Sequence, residues 1–364
     1  MNQEIIKNAL RNVFDPHTGQ DIVAMNMLQS VTVEGLFVNI TLSLSAQNNE
    51  FKADLNAACE QAVQDVFPGG NVNIHFMLQN PHEILGAKTP LPQIKNIIAV
   101  ASGKGGVGKS TVSTNLAFAL QDMGAKVGLL DADLYGPSIP TMLGLQGQRP
   151  KVQDVYGKPR LIPLTAAGGM PVMSIGFIIE PEQAVVLRGP RLAGIIKQFL
   201  EDTIWEPLDY LIIDLPPGTG DIQLTLVQTV PLTGVVLVTT PQEVAVIDAV
   251  KAMNMFMLAQ VDVPILGVVE NMSWFSPEEL PDHKYYIFGE GGGKKLTKMA
   301  NSMLLGQVPL VQGIREASDM GKPIVLHNEP ITKKIFMNIA QNLVQQVQIR
   351  HEALAPTQTV KMTS

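Results

Sequence analysis

The chain has 364 residues, 46% apolar and 16% charged, with 26 Lys and Arg against 33 Asp and Glu for a formal net charge of −7. That length predicts two domains rather than one core, and the acidic balance lacks the general electrostatic footprint of nucleic-acid or anionic-membrane binding. The single cysteine, Cys59, excludes an internal disulfide, the six histidines show no paired metal spacing, and no long unbroken apolar run is present; the expectation is a soluble, cytoplasmic chain without signal peptide or membrane span.

Residues 1–78 read as a small α/β domain. Ile5, Ile6, Ala9, Leu10 and Val13 have helical spacing. Leu36, Val38, Ile40, Leu42 and Leu44 alternate as a strand, and Glu34-Gly35 between Val31–Val33 and that run predicts a hairpin. Asp54–Phe67 reads as a helix ended by Pro68-Gly69-Gly70, and Val72, Ile74, Phe76 and Leu78 as a last strand. Residues 79–95, with Pro81, Pro90 and Pro92 and little periodicity, read as an interdomain linker.

From residue 96 to 354 the pattern changes. Ile97–Ala101, Val127–Leu130, Tyr210–Ile213, Val235–Val238 and Ile265–Val269 are short unbroken apolar runs, the signature of strands buried on both faces. Helix-patterned stretches at Lys109–Met123, Asp221–Val230 and Val244–Ala259 separate several of them. The fold class is therefore α/β, a doubly wound and mostly parallel sheet preceded by the small α/β domain. Ile331, Ile335, Ile339, Leu343 and Val347 mark a packing stripe on a final helix, and residues 355–364 form a polar tail. Met253, Met255 and Met257 read as core filling.

Gly103-Lys104-Gly105-Gly106-Val107-Gly108-Lys109-Ser110-Thr111 follows a buried strand and opens a helix, the context of a phosphate-binding loop. Glycines let backbone N–H groups turn toward phosphate, and the helix N-terminus adds partial positive charge. Lys109 is expected on the β- and γ-phosphates, the Ser110 hydroxyl on Mg²⁺ and Thr111 on the α-phosphate of a bound ATP. Two strand ends supply acids where ligands bind in such sheets. Asp214 at the end of Tyr210–Ile213 is assigned to the Mg²⁺ shell, and Asp131 to the same metal region. Asp133 points the other way along an extended chain. Pro216-Pro217-Gly218-Thr219-Gly220 suits a switch loop, and Asp221 reads as the N-cap of the next helix. Gly291-Gly292-Gly293 before Lys294-Lys295 reads as a turn into a helix rather than a second phosphate site. Arg188 and Arg191 flank Gly189-Pro190 and suit either a phosphate or partner contact or a surface ion pair.

The loop lysine Lys104 resembles the signature lysine of the deviant Walker A ATPases, which include ParA, MinD and the nitrogenase iron protein. That resemblance implies a homodimer in which Lys104 reaches the partner's phosphates and joins Lys109 and Asp133 in catalysis, Asp133 orienting the attacking water. It also places Asn271, in Glu270-Asn271-Met272, against the adenine. Arg315-Glu316-Ala317 and Gly321-Lys322-Pro323 resemble motifs near such a base pocket. More specifically, Ser102–Thr111, Asp131–Pro140, Leu187–Pro190, Asp214–Leu224, Thr240–Glu243 and Glu270–Ser273 resemble the Mrp/ApbC iron–sulfur cluster carriers. Asp15-Pro16 and Asp21-Ile22-Val23 resemble the small domain found in iron–sulfur assembly factors.

This resemblance implies a homodimer that holds a 4Fe–4S cluster and delivers it to apoproteins. Many members have a Cys-x-x-Cys pair soon after Glu-Asn-Met-Ser, where this chain has Pro277 and Leu280. Thiolates are the usual cluster ligands, and Glu278, Glu279, Asp282 and His283 are harder donors. Cys59 reads as a core residue. The alternative is a dimerising nucleotide switch of MinD or ParA type with no cluster of its own. Against its membrane and DNA forms stand the polar C-terminal residues and the acidic net charge, so neither membrane nor nucleic acid is expected as partner.

Overall fold

The computed structural model describes residues 3–15, 18–35, 37–44, 51–78, 91–133, 136–155, 157–178, 189–277, 279–280, 283–327, 329–355, 357 and 359. The chain begins with α1 (Gln3–Ala9), followed by a short 3-10 turn, β1 (Leu28–Glu34), β2 (Phe37–Leu44), α2 (Lys52–Val66) and β3 (Asn71–Leu78). β1 and β2 are antiparallel with Glu34 opposite Phe37, while β3 joins β2 in parallel, which is possible because α2 makes the crossover. Alternation along β2 puts Val38, Ile40 and Leu42 on the helix side, where Ile6, Leu10, Leu55, Cys59 and Val63 complete the core.

Then follow β4 (Ile94–Ser102), α3 (Lys109–Asp122), β5 (Val127–Asp131), α4 (Ile139–Met142), the hairpin β6 (Lys151–Val155) and β7 (Lys158–Ile162), β8 (Leu164–Thr165), β9 (Pro171–Ser174) and α5 (Gly189–Glu201). β10 (Leu208–Asp214), α6 (Asp221–Thr229), β11 (Gly234–Thr239), α7 (Glu243–Met257), β12 (Ile265–Glu270), α8 (Gly292–Met299), β13 (Leu304–Gln307), α9 (Gln312–Asp319) and α10 (Pro330–Ala353) complete the chain. Eight strands form one sheet in the order β13-β12-β11-β4-β10-β5-β9-β8. All its pairings are parallel except β8 with β9. The strand order reverses beside β4, so the loops after β4, β5 and β10 open at one carboxyl edge.

Two compact units result. The larger comprises residues 94–150, 163–200 and 208–364. The smaller joins residues 1–93 to the excursions 151–162 and 201–207, where Leu161 N–H donates to Asp202 O and Trp205 is buried. These excursions are absent from the sequence-based division. β4 also starts inside the segment read as linker, because Ile94 and Leu208 pair at the start of the ladder; residues 79–90 lie outside the described ones. Met253 and Met255 are buried as expected, but Met257 at the last turn of α7 is 47% exposed. Gly220, not Asp221, is the N-cap of α6. No helix among the described residues is long and apolar enough to cross a membrane.

Candidate nucleotide-binding site

β4 carries an apolar run that ends at Ser102, and the chain then turns tightly into α3. Gly103 has no room for a side chain: a Cβ there would lie 2.0 Å from the Asp248 carbonyl carbon and 2.2 Å from Ala249 N in α7. Gly106 (φ +80°) and Gly108 (φ +78°) take the left-handed conformation that glycine adopts without penalty, and Gly108 is the N-cap of α3. These glycines shape a loop that ends at a helix N-terminus, a ready anion site.

Lys109, the first residue of α3, is buried with its ammonium 2.9 Å from Asp214 Oδ1 and 3.3 Å from Asp133 Oδ2. Burial alone disfavours its charge, but Asp214, Asp133 and then Asp131 outweigh it, and the net shift is upward. The Ser110 hydroxyl donates to Asp214 Oδ2 (2.6 Å), and the Ser113 hydroxyl sits 2.6 Å from Oδ1. Asp214 therefore faces one helical turn of α3. Sequence reasoning missed Ser113; its only signal is the i+4 spacing from Lys109, which puts both on one helix face.

Asp131 lies one strand away, in register with Asp214. It is fully buried. Burial, reinforced by the neighbouring Asp214 carboxylate, pushes its acid up to about 8. Its Oδ1 accepts from the Asp133 N–H (3.0 Å) and its Oδ2 from the Ser174 hydroxyl (2.8 Å). On the other side of the loop, Pro216-Pro217-Gly218 is braced by the buried Gln223 amide, which donates to Pro216 O and Gly218 O.

Asn271, at the end of β12, donates from Nδ2 to Val107 O (2.9 Å) and so ties this strand end to the phosphate loop. It also lines a cavity of about 240 Å³ together with Gly108, Thr111, Met272, Leu310 and Arg315. Sequence reasoning had placed Asn271 and Arg315 near a base pocket, and the structure brings both into one lining. Lys104 is half-buried, and its ammonium has no ion-pair or hydrogen-bond partner among the described residues. Arg188 and the side chains of Arg191 and Asp221 lie outside the described ones.

The segment after Ser273 is built without thiols. Phe275 and Tyr285 exchange both backbone hydrogen bonds (2.9 and 2.8 Å), and the Lys284 ammonium stacks 4.1 Å from the centre of the Trp274 ring. Among the described residues no group of three or more His, Cys, Asp or Glu is arranged to hold a metal ion; Glu278 and Asp282 are not among them. Cys59 is fully buried in the small unit, and burial pushes its thiol up to about 12, away from the thiolate a cluster needs. The residues present do not fit an iron–sulfur cluster ligated by this chain alone.

A buried strand, a glycine loop whose lysine and serine open a helix, and an acid at the end of the adjacent strand together define a P-loop nucleotide-binding NTPase. The chain belongs to the NUBPL iron-transfer P-loop NTPase family, whose description matches residues 93–344. Residues 3–76 match a second family, described as iron–sulfur cluster assembly protein. The chain is 45% identical over 349 residues to an iron–sulfur cluster carrier protein of Synechocystis sp., covering 95% of this chain and 98% of that one. It is 48% identical over 262 residues to one of Escherichia coli, covering 72% and 69%. Among solved structures it is similar to a nucleotide-binding protein of Archaeoglobus fulgidus in complex with ADP. That match has a TM-score of 0.57 and 39% identity over 68% of this chain and 94% of that one.

Proposed function

We propose that the chain binds and hydrolyses ATP as a homodimer and uses that cycle in iron–sulfur cluster carriage or assembly. Its cluster-ligating thiols are supplied from outside the chain. The observation that carries the nucleotide chemistry is the convergence of Lys109, Ser110, Asp133 and Asp214 at the helix N-terminus of α3. The family membership and the carrier relatives support the cargo. The missing thiolates support an external ligand source.

ATP is the substrate, with its phosphates on the N–H groups of 105–111 and its base in the cavity beside Asn271. Ser110 and Asp214 fit Mg²⁺, since both are oxygen donors placed together. When bound, Mg²⁺ neutralises charge on the β- and γ-phosphates. Lys109 is held between Asp214 and Asp133, so its ammonium is pre-positioned and desolvated before the substrate arrives. Incoming phosphate oxygens exchange with these carboxylates for the same cation. When the phosphates draw Lys109 away, the Asp133 carboxylate accepts a hydrogen bond from the attacking water and orients it. Lys104 completes the charge compensation in the partner subunit's site.

The test is Mg²⁺-dependent ATP turnover by the full chain and by Lys109→Ala. Loss of all turnover in the variant is expected, because the Lys109 ammonium is the charge held between Asp214 and Asp133 at the start of α3. Turnover equal to wild type would overturn the site.

A further inference from the structure

Asp131 is among the most completely buried titratable side chains of the large unit, and the proposed chemistry gives it no contact with substrate. We infer that Asp131 is a positioning residue, which together with Ser174 fixes the place of Asp133, and is not a ligand of the cation. This rests on the ATPase reading above.

A carboxylate that ligates the cation shares it with the Ser110 hydroxyl, so the partners of each acid separate the two roles. Both oxygens of Asp131 are turned to protein donors, Oδ1 to the Asp133 N–H at 3.0 Å and Oδ2 to the Ser174 hydroxyl at 2.8 Å. Both Ser110 and Lys109 meet Asp214 instead. Ser174 is equally buried, lies directly across from Asp131 in the β5–β9 pairing, and accepts from the Gly176 N–H at 3.0 Å. The intervening residue is held too, since the Ala132 N–H donates to Asp214 O at 2.9 Å.

The three-residue stretch 131–133 is therefore pinned from both neighbouring strands. β10 takes Ala132, and β9 takes Asp131 through Ser174. Asp133 is the first residue beyond these anchors, and its backbone N–H is held by Asp131. Its carboxylate reaches Lys109 at 3.3 Å because that N–H is fixed. Without the anchor the Asp133 peptide rotates, and the carboxylate leaves the place where it meets water. A misplacement of about 1 Å costs on the order of a hundredfold in rate. The buried Ser174 hydroxyl thereby becomes part of the catalytic geometry.

The substitutions Asp131→Ala, Asp131→Asn and Ser174→Ala separate this role from cation binding. Asparagine keeps an oxygen for the Asp133 N–H and an amide N–H for the Ser174 oxygen, but it cannot become a carboxylate ligand of a cation. The readouts are kcat and KM for ATP, the Mg²⁺ concentration at half-maximal rate, ADP affinity, and hydrogen exchange of the backbone over residues 129–137. Asp131→Ala and Ser174→Ala are expected to lose exchange protection at Asp133 and to lower kcat about tenfold or more, with KM and ADP affinity within about twofold of wild type. Asp131→Asn is expected to restore most of both properties. The inference fails if Asp131→Asn lowers kcat as far as Asp131→Ala and raises the Mg²⁺ requirement about tenfold. It also fails if Asp131→Ala leaves the Asp133 amide protected. The exchange readout does not depend on turnover, so a wild-type chain without ATPase activity refutes the ATPase reading and still leaves the anchor to be decided.

Discussion

Replacing Gly103 by alanine is a severe perturbation for its size. The backbone there is not in the left-handed region, so the strain is purely steric. The added Cβ would lie 2.0 Å from the Asp248 carbonyl carbon, 2.2 Å from its oxygen and 2.2 Å from Ala249 N. Ordinary carbon contacts fall at about 3.5–4.0 Å, so the loop and α7 must separate by more than an ångström. The obstructing atoms are backbone in the interior of a helix and cannot rotate away. Overpacking costs about 1–3 kcal/mol where side chains can adjust, and the rigid neighbours here place Gly103→Ala at about 3 kcal/mol. The same displacement carries Lys104 and Lys109 with it, so turnover should fall on the order of a hundredfold. The control is Gly105→Ala, whose added Cβ meets only Pro217 at 4.0 Å and should change stability by about 0.5 kcal/mol or less. Urea unfolding followed by far-ultraviolet circular dichroism measures both, and a coupled phosphate-release assay measures the turnover of Gly103→Ala. A Gly103→Ala protein with wild-type stability and turnover would refute the packing argument for this loop.

Three further outcomes follow from the site and the lone thiol. Lys104→Ala should lower ATP turnover more than ADP affinity, because its ammonium has no partner among the described residues and the proposed homodimer puts it in the partner subunit's site; equal losses in turnover and titration calorimetry would assign it a local role. Cys59 should stay unmodified by a thiol reagent in the native chain at about pH 8 and react fully in denaturant, since its thiol is pushed up to about 12 by burial. The folded state holds this proton to higher pH than the unfolded one, so its contribution to stability is intact below about 9 and declines as the pH rises toward 12. An unfolding titration across that alkaline range, with Cys59→Ala as reference, should show a steeper decline for wild type.

The parallel sheet was legible because strands buried on both faces leave unbroken apolar runs, and β4, β5, β10, β11 and β12 all follow that rule. The phosphate loop was legible because glycine, lysine and serine at fixed spacing have few other uses. β6 and β7 left no such trace: Val152 is 65% exposed, and the strands are too short for alternation to stand out. β9 starts with a proline and has four residues, so Ser174 looked like any other loop serine. Its hydrogen bond to Asp131 spans 43 positions and exists only once β5 and β9 pair. Ser113 sat in plain view on α3, but a mid-helix serine has no local signature of the carboxylate it meets. The chain-order reading of two successive domains missed the excursions at 151–162 and 201–207 for the same reason, since their partners in the small unit come from far earlier in sequence.

Anaerobic reconstitution of the full-length chain with iron and sulfide, without added small-molecule thiol, tests the central claim most directly. The chain should acquire little stable cluster alone and should gain a 4Fe–4S absorption spectrum only when a thiol-bearing partner or small-molecule thiol is supplied. A stoichiometric 4Fe–4S spectrum in the chain by itself, surviving Cys59→Ser, would contradict the account.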